Sequence, residues 1–341
     1  MQYYYNYTVL SPQQQDLLTL HNKKHNIRKT LSGLGFAVFA AELTFQILYT
    51  FLFLFLKLTG VSNNEFFNDN YLAITELFHG TVLFTALFVI GLTYCGLSNT
   101  KLSSIIKFKK VKKSNLVLYV ILGLSIGYLG NILTSILLSS FEAIGINNNL
   151  ADTETSYNNF GFLIMTLVTA IAPAFAEEFL FRGVILGKLR KYGNTFAILI
   201  SSLLFGLMHG NLVQIPFAFI GGVFFAFVTV KTNSMLPAMI IHFLNNLSSC
   251  ILQYIQDNFS DYVINLSSVL VFAIIFALGI FAFVVLSIKD KKLFSINNES
   301  DEAKEFTLKE KFKLFFSNVG TIFALVLLLL ETLSTIRFSI G

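Results

Sequence analysis

The chain has 341 residues, enough for two soluble domains, but 55% of them are hydrophobic and only 13% charged. Soluble domains carry about a quarter charged residues, and a chain this apolar has too little polar surface to face water. An integral membrane protein is predicted, and the net charge of +5 reads as basic loops at the membrane surface, with no nucleic-acid partner.

Apolar runs of about 17–25 residues cross a bilayer as helices. Such runs lie near 31–57, 71–97, 116–141, 160–186, 195–211, 214–230, 235–255, 263–288 and 315–336. The expected fold is an all-α polytopic membrane helix bundle of about 8–9 transmembrane helices, nine by this count. Residues 1–30 form a cytoplasmic N-terminal segment and 31–141 the N-terminal transmembrane helices. A core follows at 160–255, then C-terminal helices at 263–341 with a cytoplasmic loop at 289–313. Strand-type alternation is missing, which argues against an outer-membrane barrel. The first thirty residues hold no apolar core of signal-peptide type, so no cleavage is expected. Cys95 and Cys250 both lie in apolar stretches, which predicts neither a disulfide framework nor a thiolate metal site.

The loops alternate in sign. Lys23, Lys24, Arg28 and Lys29 precede the first run, and Glu65 and Asp69 follow it. Six lysines between Lys101 and Lys113 fill the next connection, Asp152 and Glu154 the third, and Lys188, Arg190 and Lys191 the fourth. Lys231, then Asp257 and Asp261, then Lys289, Lys291 and Lys292 continue the pattern. Concentration of Lys and Arg on every second side predicts a cytoplasmic N-terminus. Lys57 and Arg337 fall on the acidic side, each at a span end where a long side chain can snorkel. Residues 289–313 mix Lys304, Lys309, Lys311 and Lys313 with Glu299, Asp301, Glu302, Glu305 and Glu310, as in a solvated or interfacial helix.

Ionisable groups at bilayer depth cost about 2.5–3.5 kcal/mol each and are functional candidates by default. The fourth run holds three of them, Glu177, Glu178 and Arg182. Glu178 and Arg182 are four apart and can neutralise one another on one helix face. Glu177 is turned about 100° away and lacks a partner on its own helix. His209 follows Phe205 by four residues, and Asn246 follows His242 by four. At 1.5 Å per residue, Glu178, His209, His242 and Asn246 fall within roughly 8 Å of one another in depth. Pro173 is expected to kink the fourth span, and Gly221-Gly222 to allow close helix packing. Glu76 and His79 are expected near an interface, while Glu42, Glu142 and Glu331 receive no role.

At these residues the sequence resembles the CPBP family of intramembrane proteases, also called the CAAX protease and bacteriocin-processing, or Abi, family. Its three signatures stand here as EEFLFR (177–182), FGLMH (205–209) and HFLNN (242–246), in order and on successive spans. The resemblance covers about 90 residues, 160–250, and includes the spacer with its small-residue helix and Ser-x-x-Pro turn.

The resemblance implies peptide-bond hydrolysis in a membrane-anchored, lipidated (CAAX-like) or exported peptide substrate. Hydrolysis needs a base for water and donors for the oxyanion. Glu177 is read as the base, with His209 placing or deprotonating the water and Glu178–Arg182 as support. His242 and Asn246 are read as donors to the tetrahedral intermediate. No cofactor is required in this preferred reading. Zinc held by Glu178, His209 and His242 is the alternative. Two other classes stay open: a non-catalytic binding or bacteriocin-immunity protein, which the family also permits, and a proton-coupled transporter using Glu177 and His209. No internal repeat of transporter type is evident. The Phe-, Ile-, Asn- and Lys-rich composition suggests an AT-rich bacterial genome, and hence a bacterial plasma membrane.

Overall fold

Ser11 opens the first helix. Its hydroxyl accepts from the Gln14 backbone N–H, the Gln14 side chain accepts in return from the Ser11 N–H, and Pro12 sits where no amide donor is needed. The computed structural model describes residues 11–60, 71–148, 159–296 and 304–338. The acidic-loop residues Glu65, Asp69, Asp152 and Glu154, and also Glu299, Asp301 and Glu302, lie outside them.

Helix α1 (Pro12–Thr59) runs unbroken for 48 residues, about 72 Å at 1.5 Å per residue. It is therefore more than twice as long as a hydrocarbon core of about 30 Å. The separate segment expected at 1–30 is thus part of this helix from Pro12 onward. After it come α2 (Tyr71–Leu97), a single turn at Leu102–Ile105, and α3 (Lys113–Glu142). The fourth span, α4 (Phe160–Tyr192), is followed by α5 (Asn194–Leu207), α6 (Ile215–Thr232), α7 (Leu236–Asn258) and α8 (Asp261–Lys289). Helices α9 (Leu308–Phe316) and α10 (Val319–Ser334) complete the bundle.

Among the described residues seven helices are long and apolar enough to cross a membrane, or eight if the pair α9–α10, bent by 70°, is one span. The fifth expected span, 195–211, is instead the 14-residue helix α5, about 21 Å long and short of a full crossing. The chain turns at its end, where Gly210 takes φ +62, a conformation glycine adopts without a Cβ clash. The last span, expected at 315–336, begins only at Val319, because Asn318 breaks the helix and caps the next one. Its side chain accepts from the Gly320 N–H and donates to the Arg28 carbonyl, tying α10 to α1. The proposed interfacial segment is helical over α9, capped by Thr307 and Glu310 in a capping box.

The basic loops gather on one side. Lys23 pairs with Glu305. Phe108 bridges Ser234, and Arg190 donates to the Asn233 side chain across 2.9 Å. Lys231 contacts Asp290 at 2.9 Å and holds its carboxyl below the ordinary carboxylate range through that hydrogen bond. On the other side, β1 (Ile146–Asn148) pairs antiparallel with β2 (Ile336–Phe338), which puts the ends of α3 and α10 together. Basic loops distant in sequence are therefore held together on one side by their contacts. Outward faces leave residues such as Val269, Ile274 and Phe281 of α8 exposed, as a lipid-facing surface requires.

The centre of the bundle is α4. All residues from Glu178 to Ile185 are buried, Arg182 included. This span is irregular, with π-helical turns at Thr166–Ile171 and Glu178–Ile185. Such turns widen the helix and are frequent at functional sites. Pro173 sits just after the first of them, in the opening turn of the following α-helical stretch, so its missing amide donor falls where the regular hydrogen-bond ladder is already interrupted. Gly222 of α6 explains the close approach of α6 to this centre. A Cβ there would stand 2.9 Å from Phe205 Cδ1 and 3.3 Å from Arg182 Nη2. Gly222→Val is expected to cost about 1–3 kcal/mol through overpacking; an unshifted melting temperature would contradict this.

Candidate active site

The π-helical stretch of α4 delivers Glu178 and Arg182 to one another inside the bundle. Arg182 Nη1 lies 3.2 Å from Glu178 Oε1, with both side chains fully buried. The guanidinium also donates to the Gly222 carbonyl at 3.3 Å. Its carbon sits 4.1 Å from the centre of the Phe205 ring and 5.3 Å from that of Phe225. Burial of a charge requires pairing and hydrogen bonding, and the ring faces add cation–π attraction.

Helix α7 brings His242 against both glutamates. Its Nδ1 is 2.9 Å from Glu178 Oε1, and its Nε2 is 3.7 Å from Glu177 Oε2. The carboxylate of Glu178 accepts from Nδ1–H, which leaves Nε2 as the free nitrogen of the neutral ring. Phe225 stacks on this imidazole with centroids 5.4 Å apart, and Phe205 meets it edge-on at 5.8 Å. His209, just beyond α5, is fixed in the same manner: Nδ1 donates to the Phe205 carbonyl at 2.9 Å, leaving Nε2 free. Asn246 donates to the Thr169 carbonyl of the first π turn at 2.9 Å and keeps a second amide proton.

The structure thus joins Glu177, Glu178, Arg182 and His242 by direct contact. His209, His242 and Asn246 line one small cavity of about 30 Å³ between α3, α5, α6 and α7. That volume is about a single water's share of liquid. Glu177 does not line it; it faces the Nε2 side of His242, 13% exposed, and its Oε2 has no hydrogen-bond partner. The expectation that Glu177 lacks a partner on its own helix holds, but its neighbour His242 comes from another span.

Two residues in this group escaped the sequence reading. Asn245 lines the same cavity and contacts Asn246 at 3.4 Å; its spacing of three from His242 was the available signal. Phe225 is one of 38 phenylalanines, and nothing in the sequence singles it out.

A zinc set of Glu178, His209 and His242 does not fit this arrangement. Two of its members point their polar atoms at one another, and Glu178 Oε1 already faces the Arg182 guanidinium. Among the described residues no group of three His, Cys, Asp or Glu side chains is arranged to hold a metal.

The remaining intramembrane charges lie elsewhere. His79 packs edge-on to Phe45 and Tyr49 at 5.1 and 5.6 Å, and Glu142 is exposed at the end of α3. Glu42 of α1 is buried, accepts from the Gln46 side chain at 3.0 Å, and lies beside Glu331 of α10. Glu331 in turn packs against Gly210, where a Cβ would stand 2.8 Å from its Cδ. Of the three carboxyl groups left unassigned by sequence, Glu331 thus packs directly against the turn that carries His209, with Glu42 beside it. Cys95 and Cys250 are both free and buried.

The chain is a polytopic helical bundle with a cluster of carboxylates, imidazole and guanidinium sunk between its spans. Residues 159–248, about a quarter of the chain, match the family model described as type II CAAX prenyl endopeptidase Rce1-like. The matched segment contains all three motifs and every residue of the cluster. No curated protein and no solved structure matches the chain.

Proposed function

We propose that the protein is an intramembrane endopeptidase that hydrolyses a peptide bond in a membrane-anchored or lipidated, CAAX-like substrate. The observation that carries this reading is His242, held between Glu177 and Glu178 at bilayer depth. Glu177 takes a proton from water, the resulting hydroxide adds to the scissile carbonyl carbon, and the oxyanion is met by amide donors. The tetrahedral intermediate collapses as the proton held by Glu177 passes to the departing amine, which restores the carboxylate. His242 separates the two halves of the site: the base on one side, the cavity with His209, Asn245 and Asn246 on the other. Asn246 supplies its remaining N–H to the oxyanion, and His242 donates through Nε2 when it carries a second proton. Glu178, paired with Arg182, keeps the His242 ring oriented.

The positive-inside rule puts the lysine-rich side in the cytoplasm. Glu178 stands ten residues, about 15 Å, from Lys188 on that side, so the bond to be cut enters about half the depth of the hydrocarbon core. Purified protein in vesicles, given peptides tethered by a prenyl group, an acyl chain or a transmembrane helix, tests the reading. Cleavage that requires both Glu177 and His242 supports it, and absence of cleavage on every tether defeats it.

The reaction is proposed to need no metal, since the fit of the carboxylates and imidazoles favours proton chemistry. Hydrolysis is expected to survive exhaustive chelation within twofold. Loss on chelation with restoration by zinc alone would reverse this assignment.

A further inference from the structure

A second cavity, far larger than the one above, lies among the described residues. It has a volume of about 590 Å³ and lies between α1 and α2, within the roughly 300–1,000 Å³ range of small-molecule sites. Its deep part is apolar, walled by Ala37, Ala40 and Ile90, and its outer part by Leu97, which is 83% exposed. At the mouth stand Lys29 of α1 and Lys188 of α4. From Lys29 to Ala40 the slot runs about 16 Å along the helix, the depth of one leaflet of hydrocarbon.

Charge selects the occupant. Neither lysine has an ion-pair partner among the described residues; Lys188 is positioned by donating to Thr100 Oγ1 at 2.8 Å. Two cations at the lysine-rich surface, above an apolar slot one leaflet deep, complement an amphiphile with an anionic head and a hydrocarbon tail. We infer that this cavity is a binding site for an anionic phospholipid of the bilayer. Its phosphate sits between Lys29 and Lys188, and one acyl chain lies along the slot between α1 and α2. Because Lys188 belongs to the same span as Glu177 and Glu178, the lipid clamps α1 and α2 to the helix that carries the cluster.

The test uses the full chain, reconstituted in vesicles of equal phosphatidylglycerol and phosphatidylcholine, re-extracted, and examined for retained lipid by native mass spectrometry. Each lysine near an anionic surface contributes about a factor of five. Wild-type protein is therefore expected to retain phosphatidylglycerol over phosphatidylcholine by more than about tenfold, and Lys29→Gln with Lys188→Gln to erase that preference. Glutamine at 188 keeps an amide donor for Thr100, and an unchanged elution profile checks folding. Thr93→Phe, placed in the lining at an exposed position, fills the slot with both lysines intact and is expected to abolish retention. Equal retention of the two lipids by wild-type protein overturns the inference, as does phosphatidylglycerol binding unaffected by both variants. Displacement of the lipid by millimolar inorganic phosphate alone would reveal an anion site with no role for the chain, and overturns it too. So would exclusive co-purification of an isoprenoid chain.

Discussion

Glu177→Gln is expected to lower hydrolysis of a membrane-tethered peptide by about 10²–10⁴-fold, the range for loss of a positioned general base, with no change in melting temperature. Glutamine matches glutamate in shape, so it leaves packing and the 3.7 Å approach to His242 Nε2 intact. What it removes is the ability to accept a proton. Folding tolerates this because Glu177 is the partly exposed member of the cluster and its Oε2 forms no hydrogen bond. Glu178→Gln gives the contrast: the fully buried Arg182 loses its counter-charge, so stability and rate fall together. A fluorogenic tethered substrate in vesicles, read beside thermal unfolding of each variant, checks both. Wild-type turnover by Glu177→Gln would remove Glu177 from the role of base.

Arg182→Met is expected to destabilise the protein by about 3–5 kcal/mol, as follows from stranding one member of a buried ion pair. Glu178 would remain at zero exposure with only His242 beside it, and the stacked contacts to Phe205 and Phe225 would lose their cation. The double variant Glu178→Gln with Arg182→Met removes both charges and is expected to recover most of that loss. The sign of the coupling in this double-mutant cycle is the decisive reading. Additive losses would mean that the pair is not energetically linked, and an Arg182→Met melting temperature equal to wild type would discard the ion pair as a structural element.

Much of the site was legible because a bilayer penalises charge so strongly that each deep polar residue stands out against its neighbours. Glu178 and Arg182 could be paired from their spacing alone, and they meet at 3.2 Å. Depth counted along separate spans placed His209, His242 and Asn246 at similar heights, and they line one cavity. Asn245 carried a signal in its spacing from His242 on the same helix, but Phe225 was not legible, since helical phase between different spans is set by packing rather than by local sequence. Glu42 and Glu331 lie 289 residues apart in the chain, and only the crossing of α1 and α10 brings their carboxyl groups together behind Gly210. The helices depart from the expected runs at two places, where geometry overrides hydropathy. A turn at Gly210 stops α5 after 14 residues, and Asn318 divides the last apolar run.

By itself, then, the sequence determined that this is a membrane-embedded helical protein, where its basic loops fall, and which few charges lie deep. Those conclusions rest on transfer free energies, which each residue carries with it regardless of fold. The tertiary structure decided which atoms of those residues face one another. It turned His242 so that Nδ1 meets Glu178 and Nε2 meets Glu177, and it opened a lysine-mouthed slot between α1 and α2. Both depend on the rotation and close approach of neighbouring helices, which packing at positions such as Gly222 fixes and hydropathy does not encode.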